Sequence, residues 1–176
     1  WNNILSDTMM KERVSYDANG NILTYIRNAA SGPRMDNLQY KYYSNTNKLR
    51  QVTDGVADNA FGNPAFDVLF DIDGQTDTSN YVYDAIGNLI QDKKEQITNI
   101  KWNVYGKITE ITRNSVSGVP VTSIKYFYDA LGNRIGKIFD LGGNYRYTWY
   151  VRDAQGNLLS TYEANPGGNP SLPNLT

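Results

Sequence analysis

The sequence predicts an all-β protein made of tandem β-hairpins that pair into one continuous antiparallel sheet. Three observations support this prediction. A turn motif recurs along the chain, the segments before it alternate between apolar and polar residues, and the segments after it are short and rich in β-formers. An internal repeat of this kind decides the fold, because every copy forms the same supersecondary unit.

The repeated motif is Tyr-Asp-X-X-Gly-Asn, and three copies of it are complete. A fourth copy keeps the Asp, Gly and Asn but has Arg152 where the tyrosine would be, and two weaker copies fit at 43–49 and 102–108. The residues that we expect to define the repeat are Tyr16, Asp17, Gly20, Asn21, Tyr83, Asp84, Gly87, Asn88, Tyr128, Asp129, Gly132, Asn133, Asp153, Gly156 and Asn157.

The motif has the chemistry of a tight turn. An aspartate carboxylate can accept hydrogen bonds from backbone N–H groups two residues further on, and glycine adopts a positive φ without steric cost. Asparagine also tolerates the left-handed region. We therefore predict that the residues from Asp to Asn close a hairpin loop of about four to five residues. These five residues are called a corner below.

The segments that flank each corner read as β-strands. Before the third complete corner, Ile124, Tyr126 and Tyr128 alternate with Lys125 and Phe127, as expected for a strand with two different faces. The segments after the corners, at 22–26, 108–112 and 134–139, consist mainly of β-forming residues. Each copy is thus predicted to be strand, turn and strand. The variable spacing predicts loops on the opposite side, one of them at residues 28–37.

The motif and its spacing resemble the YD repeat of Rhs and teneurin-type proteins. The last copy, at 149–163, resembles a late repeat of bacterial Rhs proteins, and the resemblance covers residues 14–163. It implies that the sheet curls as a segment of a β-spiral or shell. We accordingly expect a YD-repeat segment at 1–163. The Pro/Gly/Asn-rich residues 164–176 are expected to form a linker or an extended tail.

The resemblance also implies a function. Rhs shells enclose a toxic C-terminal domain that self-cleavage releases, and teneurin-type proteins use a similar barrel for adhesion at the cell surface. The chain is therefore expected to be a non-catalytic scaffold of a secreted polymorphic toxin or a bacterial cell-surface protein, which encapsulates or presents a C-terminal domain. The self-cleavage motif requires Asp-Pro, whereas this chain has Asn165 before Pro166, so no cleavage site is assigned.

The partners expected from the resemblance are the remainder of the shell and the toxin domain. A short slice of such a shell exposes sheet edges, which proteins normally cover, so self-association through those edges is a further expectation. Nucleic acid is not an expected partner, because 17 basic residues balance 18 acidic ones without long runs of either sign. The sequence has no apolar run long enough to span a membrane as a helix.

Composition argues against the common classes of enzyme. The chain contains neither histidine nor cysteine, which excludes Ser-His-Asp triads, Cys-His pairs and the usual zinc sites, and no cofactor is expected. A carboxylate-based glycosidase would need two carboxylates about 5–10 Å apart in a cleft. The corner aspartates recur once per repeat, as turn formers do, and nothing in the sequence selects a catalytic pair.

Two further patterns have a structural and a functional interpretation. Asp71, Asp73 and Asp77 surround Gly74 as a weak calcium candidate, but the remaining ligands are missing and a solvated loop is favoured. An aromatic ladder could stack ring on ring between strands, which we favour, or could hold sugars. The second interpretation makes the chain a carbohydrate-binding or adhesion module. The ladder consists of Tyr16, Tyr43, Tyr83, Trp102 and Tyr128.

Overall fold

A computed structural model of the 176-residue chain describes residues 12–28, 34–56, 74–115 and 122–164. The chain divides into two compact units, Trp1–Val82 and Tyr83–Thr176. All regular elements of the described residues are β-strands, and all pairings between them are antiparallel. The predicted all-β, antiparallel fold is confirmed. The strands pair in two sheets, neither of which closes on itself.

The first unit contains a four-stranded sheet whose spatial order follows the chain. Its strands are β1 (Glu12–Tyr16), β2 (Ile22–Asn28), β3 (Arg34–Tyr42) and β4 (Leu49–Thr53). The predicted loop at 28–37 was wrong at both ends, because β2 includes residue 28 and β3 begins at residue 34. Arg27 lies opposite Asp36 and pairs with its fully buried carboxylate, which holds these strand ends together.

An eight-stranded sheet follows, again with each strand beside its neighbour in sequence. Its first strand, β5 (Tyr81–Tyr83), crosses the boundary between the units. The other seven strands belong to the second unit. They are β6 (Leu89–Asp92), β7 (Ile97–Trp102), β8 (Ile108–Arg113), β9 (Ser123–Tyr128), β10 (Arg134–Asp140), β11 (Tyr145–Arg152) and β12 (Leu158–Ala164).

Few side chains of the described residues are fully buried. The buried apolar residues are Leu38 and Val52 in the first unit and Ile100, Ile138 and Tyr147 in the second. Most other strand residues of the described part are intermediate in burial on both faces. Because each sheet buries so few side chains, its stability depends strongly on the pairing of neighbouring strands.

The predicted linker or tail at 164–176 is not tested. Strand β12 ends at Ala164, and residues 165–176, where the linker or tail was predicted, lie outside the described residues. Most of the long insertion between β4 and β5, at 57–73, lies outside them as well. The described part of the chain contains no helix that could span a membrane.

Candidate functional site: the repeated corners

The four corners that begin with aspartate share one backbone geometry. In the first, the Asp17 N–H donates to the Asn21 carbonyl at 2.9 Å and the Gly20 N–H donates to the Asp17 carbonyl at 3.1 Å. The Asp84, Asp129 and Asp153 corners repeat both hydrogen bonds at 2.9–3.2 Å. The glycine φ angles lie between 81° and 101° in all four corners. The fourth position of the corner therefore requires the left-handed region that glycine adopts most easily.

The aspartate side chain closes the corner from inside. Asp17 Oδ1 accepts hydrogen bonds from the backbone N–H groups of Asn19 and Asn21, at 2.9 and 2.8 Å. Its other oxygen, Oδ2, accepts from the Asn21 side-chain amide at 2.8 Å. The bonds from the asparagine recur in the other three corners at 2.7–3.0 Å. Both oxygens of each carboxylate are thus engaged within their own corner.

These hydrogen bonds favour the ionised carboxylates. The side-chain amides of the corner asparagines, helped by backbone N–H groups, hold the pKa of Asp17, Asp129 and Asp153 below the ordinary value of 3.8. At Asp84, burial raises the pKa, but the backbone and side-chain bonds from Asn88 outweigh it, so the net direction is also downward. All four aspartates are therefore charged at neutral pH.

The Asn103 corner keeps the backbone turn with different side chains. The Asn103 N–H donates to the Lys107 carbonyl at 2.9 Å, and Gly106 has a φ of 70°. Asn103 Oδ1 accepts from the N–H groups of Tyr105 and Lys107, both at 3.0 Å. Because lysine stands where the other corners have asparagine, its ammonium group leaves the corner and donates to the carbonyl of Gly132 in the next one.

The Tyr43 corner is one residue longer than the others and has no glycine. The Tyr43 N–H donates to the Lys48 carbonyl at 2.9 Å, and Asn45 takes the positive φ, at 60°. The Thr46 hydroxyl donates to the Tyr43 carbonyl and accepts from the Lys48 N–H. By its hydrogen bonds, Tyr43 is thus equivalent to the corner aspartates. Our sequence alignment, which matched it to the tyrosine before them, was displaced by one residue.

The residue immediately before a corner reaches back to the preceding hairpin. The Trp102 Nε1–H donates to the Leu89 carbonyl at 2.8 Å, and the Tyr128 hydroxyl donates to the Ile108 carbonyl at 2.8 Å. The same position is used by Arg152, whose Nε–H donates to the Arg134 carbonyl at 3.0 Å. In the first unit, the Tyr42 hydroxyl donates to the Ile22 carbonyl at 2.8 Å. In each case the acceptor is the first residue after the preceding corner. We name this hydrogen bond the lock.

The lock satisfies a carbonyl that the backbone ladder leaves unpaired. Strands β8 and β9 pair from Thr112 to Glu110, and the ladder stops before Ile108. A buried or half-buried carbonyl without a partner is costly, and the donor supplied from the next hairpin removes this cost. The position requires only a long side chain with a hydrogen-bond donor, which explains why tyrosine, tryptophan and arginine all occupy it.

The locks change our interpretation of the aromatic ladder. Tyr42, not Tyr43, occupies the ladder position in the first unit. Among the described residues, Trp102 and Tyr128 bind backbone carbonyls and do not stack ring on ring. Sequence reasoning missed the lock because it classed these residues by their rings. Arg152 is the signal that could have revealed the lock. Like tyrosine it carries a hydrogen-bond donor, but it has no aromatic ring.

Neighbouring corners also touch each other. In the first unit, the Asn21 side-chain amide donates to Asn47 Oδ1 at 2.9 Å. In the second unit, a Cβ atom added to Gly156 would lie 3.1 Å from Asn133 Oδ1. Within each unit, successive corners are therefore aligned along one edge of the sheet, as stacked repeats require.

A cleft of about 620 Å³ lies beside the corners of the second unit. Three cations line it, and Arg134 lies 4.5 Å from the centre of the Tyr126 ring while Lys107 lies 5.5 Å from that of Tyr128. Burial raises the pKa of Tyr126 above its usual range. The aromatic side chains of the cleft are Trp102, Tyr126, Tyr128 and Tyr150, and its cations are Lys107, Arg134 and Arg152.

The weak calcium candidate at Asp71, Asp73 and Asp77 is not tested. Asp71 and Asp73 lie outside the described residues, and Asp77 Oδ1 accepts a hydrogen bond from the backbone N–H of Ser79 at 2.8 Å. In the part of the chain that the structure describes, no group of three or more acidic residues is placed to hold a metal ion.

Comparisons with known proteins include a remote structural neighbour. No family model matches the chain. No curated protein matches it in sequence. Among solved structures, it is similar to a chain of the crystal structure of TcdB2-TccC3-Cdc42, at 12% sequence identity and a TM-score of 0.39. The similarity covers 88% of this chain and 8% of that one, so the chain spans less than a tenth of the neighbour's length.

Proposed function

We propose that this chain is a non-catalytic structural scaffold, a YD-repeat segment of an Rhs-type or teneurin-like shell. The observation that carries the proposal is the lock. Four times in the described residues, the side chain before a corner hydrogen-bonds the hairpin that precedes it. A hydrogen bond that joins each hairpin to the one before it extends the sheet by one repeat at a time, as in other repeat proteins. The sheet of joined hairpins is called the wall below.

The corner aspartates support a structural over a catalytic role. A catalytic carboxylate must present an oxygen to substrate. In the Asp17 corner, and equally in the Asp84 and Asp153 corners, one oxygen binds backbone N–H groups and the other binds the asparagine amide. These hydrogen bonds account for the carboxylates as parts of the turn, which supports the structural role.

The biological role that follows is enclosure. The parent protein would be a secreted bacterial toxin or a cell-surface protein, in which further repeats complete the wall around a C-terminal domain. Partners are accordingly the remaining shell and the domain that it encloses or presents.

Limited proteolysis of the protein as its gene encodes it tests this role. We expect a C-terminal domain that resists protease while the wall is intact. The same domain should become cleavable when Tyr128→Phe and Gly132→Val together weaken one lock and one corner. A gene that encodes no domain beyond the repeats, or a domain cut equally fast in both proteins, would overturn the proposal.

A second candidate function is carbohydrate binding at the cleft. The observation in its favour is the group of rings in a cleft of about 620 Å³, since aromatic faces can stack against sugars. Tyr150 lines the cleft without forming a lock itself, but its ring lies 6.0 Å from the guanidinium of the lock residue Arg152. Tyr150→Ala therefore tests binding when an unchanged thermal midpoint shows that the lock is intact. A glycan array should give signals that Tyr150→Ala abolishes, and an array without signals would leave the scaffold as the only candidate.

A further inference from the structure

The first and the last corner of the described residues each have one half of a lock: an unused donor beside the first and an unused acceptor beside the last. Tyr16 stands immediately before the Asp17 corner, where Tyr42 and Tyr128 form locks. Its side chain is 59% exposed, and its hydroxyl has no hydrogen-bond partner among the described residues. Leu158 is the first residue after the Asp153 corner, the position whose carbonyl accepts the lock elsewhere. No side chain in the described ranges donates to it.

In the part of the chain that the structure describes, the end strands β1 and β12 each pair on one side only. Among the described strands, β1 pairs only with β2 and β12 only with β11. Val14 in β1 is 40% exposed, and Leu159 and Tyr162 in β12 are 66% and 62% exposed. A free strand edge that carries apolar side chains is a template for pairing with another strand.

The pairing register between successive hairpins is the same at three of the four junctions that carry a lock. At the fourth, β6–β7, Asp92 lies opposite Ile97, and the register is displaced by one residue. Between β10 and β11, Gly136 lies opposite Trp149, and the lock joins the residue two before Gly136 to the residue three after Trp149. The junctions β2–β3 and β8–β9 have the same offsets, around Thr24 opposite Gln39 and Glu110 opposite Lys125.

Applied to the free edges, this register brings matched residues together. If Tyr16 of one chain locks onto Leu158 of another, Ser160 lies opposite Arg13 and Leu159 lies opposite Val14. The two exposed apolar side chains become cross-strand neighbours, and no like charges face each other. The free edges are complementary in hydrogen bonding as well as in apolar surface.

We propose that the β12 edge binds β1 of a second copy of this chain, with the Tyr16 hydroxyl donating to the Leu158 carbonyl. The proposal rests on the lock of the proposed function and extends it from hairpins within a chain to hairpins of two chains. Because the two edges differ, the contact is heterologous, and it leaves a free edge of each kind for further copies.

Sedimentation velocity over a range of concentrations tests the association. The average mass should rise past that of a dimer as concentration increases. Leu159→Lys and Val14→Glu should each lower association, because each places a charge against an apolar neighbour. A mixture of the two variants should associate again, since it forms lysine–glutamate and leucine–valine contacts. Both residues are exposed, so folding should tolerate the changes.

Two outcomes would overturn the proposal. A chain that stays monomeric at all concentrations has no such junction. Association abolished by Leu159→Lys but unaffected by Val14→Glu would indicate that β12 pairs with β12 of the partner about a two-fold axis.

The hydroxyl half of the lock is tested by Tyr16→Phe, with Tyr105→Phe as the matched control on a corner that takes no part in the junction. We expect Tyr16→Phe to weaken association about fivefold, the loss of one hydrogen bond. The monomer should keep its thermal midpoint, and Tyr105→Phe should change neither quantity. Equal association of Tyr16→Phe and the unmodified chain would rule out this lock. Because the internal locks are measured by unfolding, failure here leaves the scaffold proposal standing.

Discussion

The Asp129 and Asn103 corners lie on successive hairpins of one sheet and fold their backbones alike, although glycine is the only residue they share. In both, the first N–H donates to the fifth carbonyl, at 3.0 and 2.9 Å, and the glycine φ is 81° and 70°. The difference lies in the fifth side chain. Asn133 closes its own corner, whereas Lys107 reaches Gly132 in the next corner.

The comparison separates what a corner needs from what it can vary. The turn needs an oxygen acceptor on one side chain of the corner and a residue that tolerates positive φ. Where asparagine is the fifth residue, its side chain hydrogen-bonds the aspartate of its own corner. Where lysine is the fifth residue, its side chain hydrogen-bonds the next corner instead. The Tyr43 corner, which has a positive φ at Asn45 and an acceptor on Thr46, meets the same needs with different residues.

The largest expected effect is that of Gly132→Val. Valine is strained at a φ of 81°, and its Cβ would lie 2.8 Å from the Lys107 ammonium nitrogen. We expect a loss of about 2 kcal/mol in the free energy of unfolding, from the left-handed backbone alone. Gly106→Val should cost nearly the same although its Cβ meets nothing within 4 Å. Urea unfolding measures both losses.

Ala130→Val places the same side chain in the same corner at an exposed residue without positive φ, and it should be nearly neutral. If Ala130→Val costs as much as Gly132→Val, bulk and not backbone strain limits these corners.

The next effect concerns the lock between the two hairpins. Tyr128→Phe removes the hydroxyl that donates to the Ile108 carbonyl at 2.8 Å, and Ile108 follows the Asn103 corner. We expect a loss of about 1 kcal/mol, because the carbonyl is left without this partner. Tyr16→Phe should leave the thermal midpoint of the monomer unchanged, because the Tyr16 hydroxyl has no hydrogen-bond partner among the described residues. Equal midpoints for both variants would mean that the lock contributes nothing.

The repeat could be predicted from sequence because its information is local. Asp, Gly and Asn dictate a turn through contacts within five residues, and the alternating arms around Tyr126 and Tyr128 dictate strands. The hairpins and their antiparallel pairing followed from these two patterns and are present in the structure.

The locks could not be predicted, because they depend on register between hairpins. Whether the Tyr128 hydroxyl reaches the Ile108 carbonyl depends on where the ladder between β8 and β9 stops, which no local pattern encodes. The displaced alignment of Tyr43 has a related cause. The corner at 43–48 gained one residue and lost its glycine, so letters that matched in sequence did not match in position. The strand start at residue 34 is accompanied by the ion pair between Asp36 and Arg27, a contact between strands that no local pattern encodes.

A smaller effect should separate the two corners by pH. The folded-state pKa of Asp129 is lowered, first by the Asn133 side chain, so its stabilisation is complete above the ordinary value of 3.8 and is lost as pH falls through the lowered value. Asp129→Asn should therefore lower the thermal midpoint at pH 7 and lower it progressively less as pH falls below about 4. Circular dichroism melts at several pH values measure this.

The converse variant, Asn103→Asp, should make its corner newly sensitive to acid. A constant difference between Asp129→Asn and the unmodified chain across the whole pH range would show that the charge of Asp129 is irrelevant to its corner.

The smallest expected effect is that of Lys107→Met, which keeps most of the stem but removes the ammonium group. The backbone of the Asn103 corner should survive, because Asn103 Oδ1 accepts from the backbone N–H of residue 107 whatever its side chain. The bond to the Gly132 carbonyl and the cation–π contact with Tyr128 are lost, and we expect about 0.5 kcal/mol in urea unfolding. Lys107→Arg, which keeps a cationic donor of similar length, should retain most of it. If Lys107→Met is instead as harmful as Gly132→Val, the coupling between corners, and not the turn within each, dominates the stability of this edge.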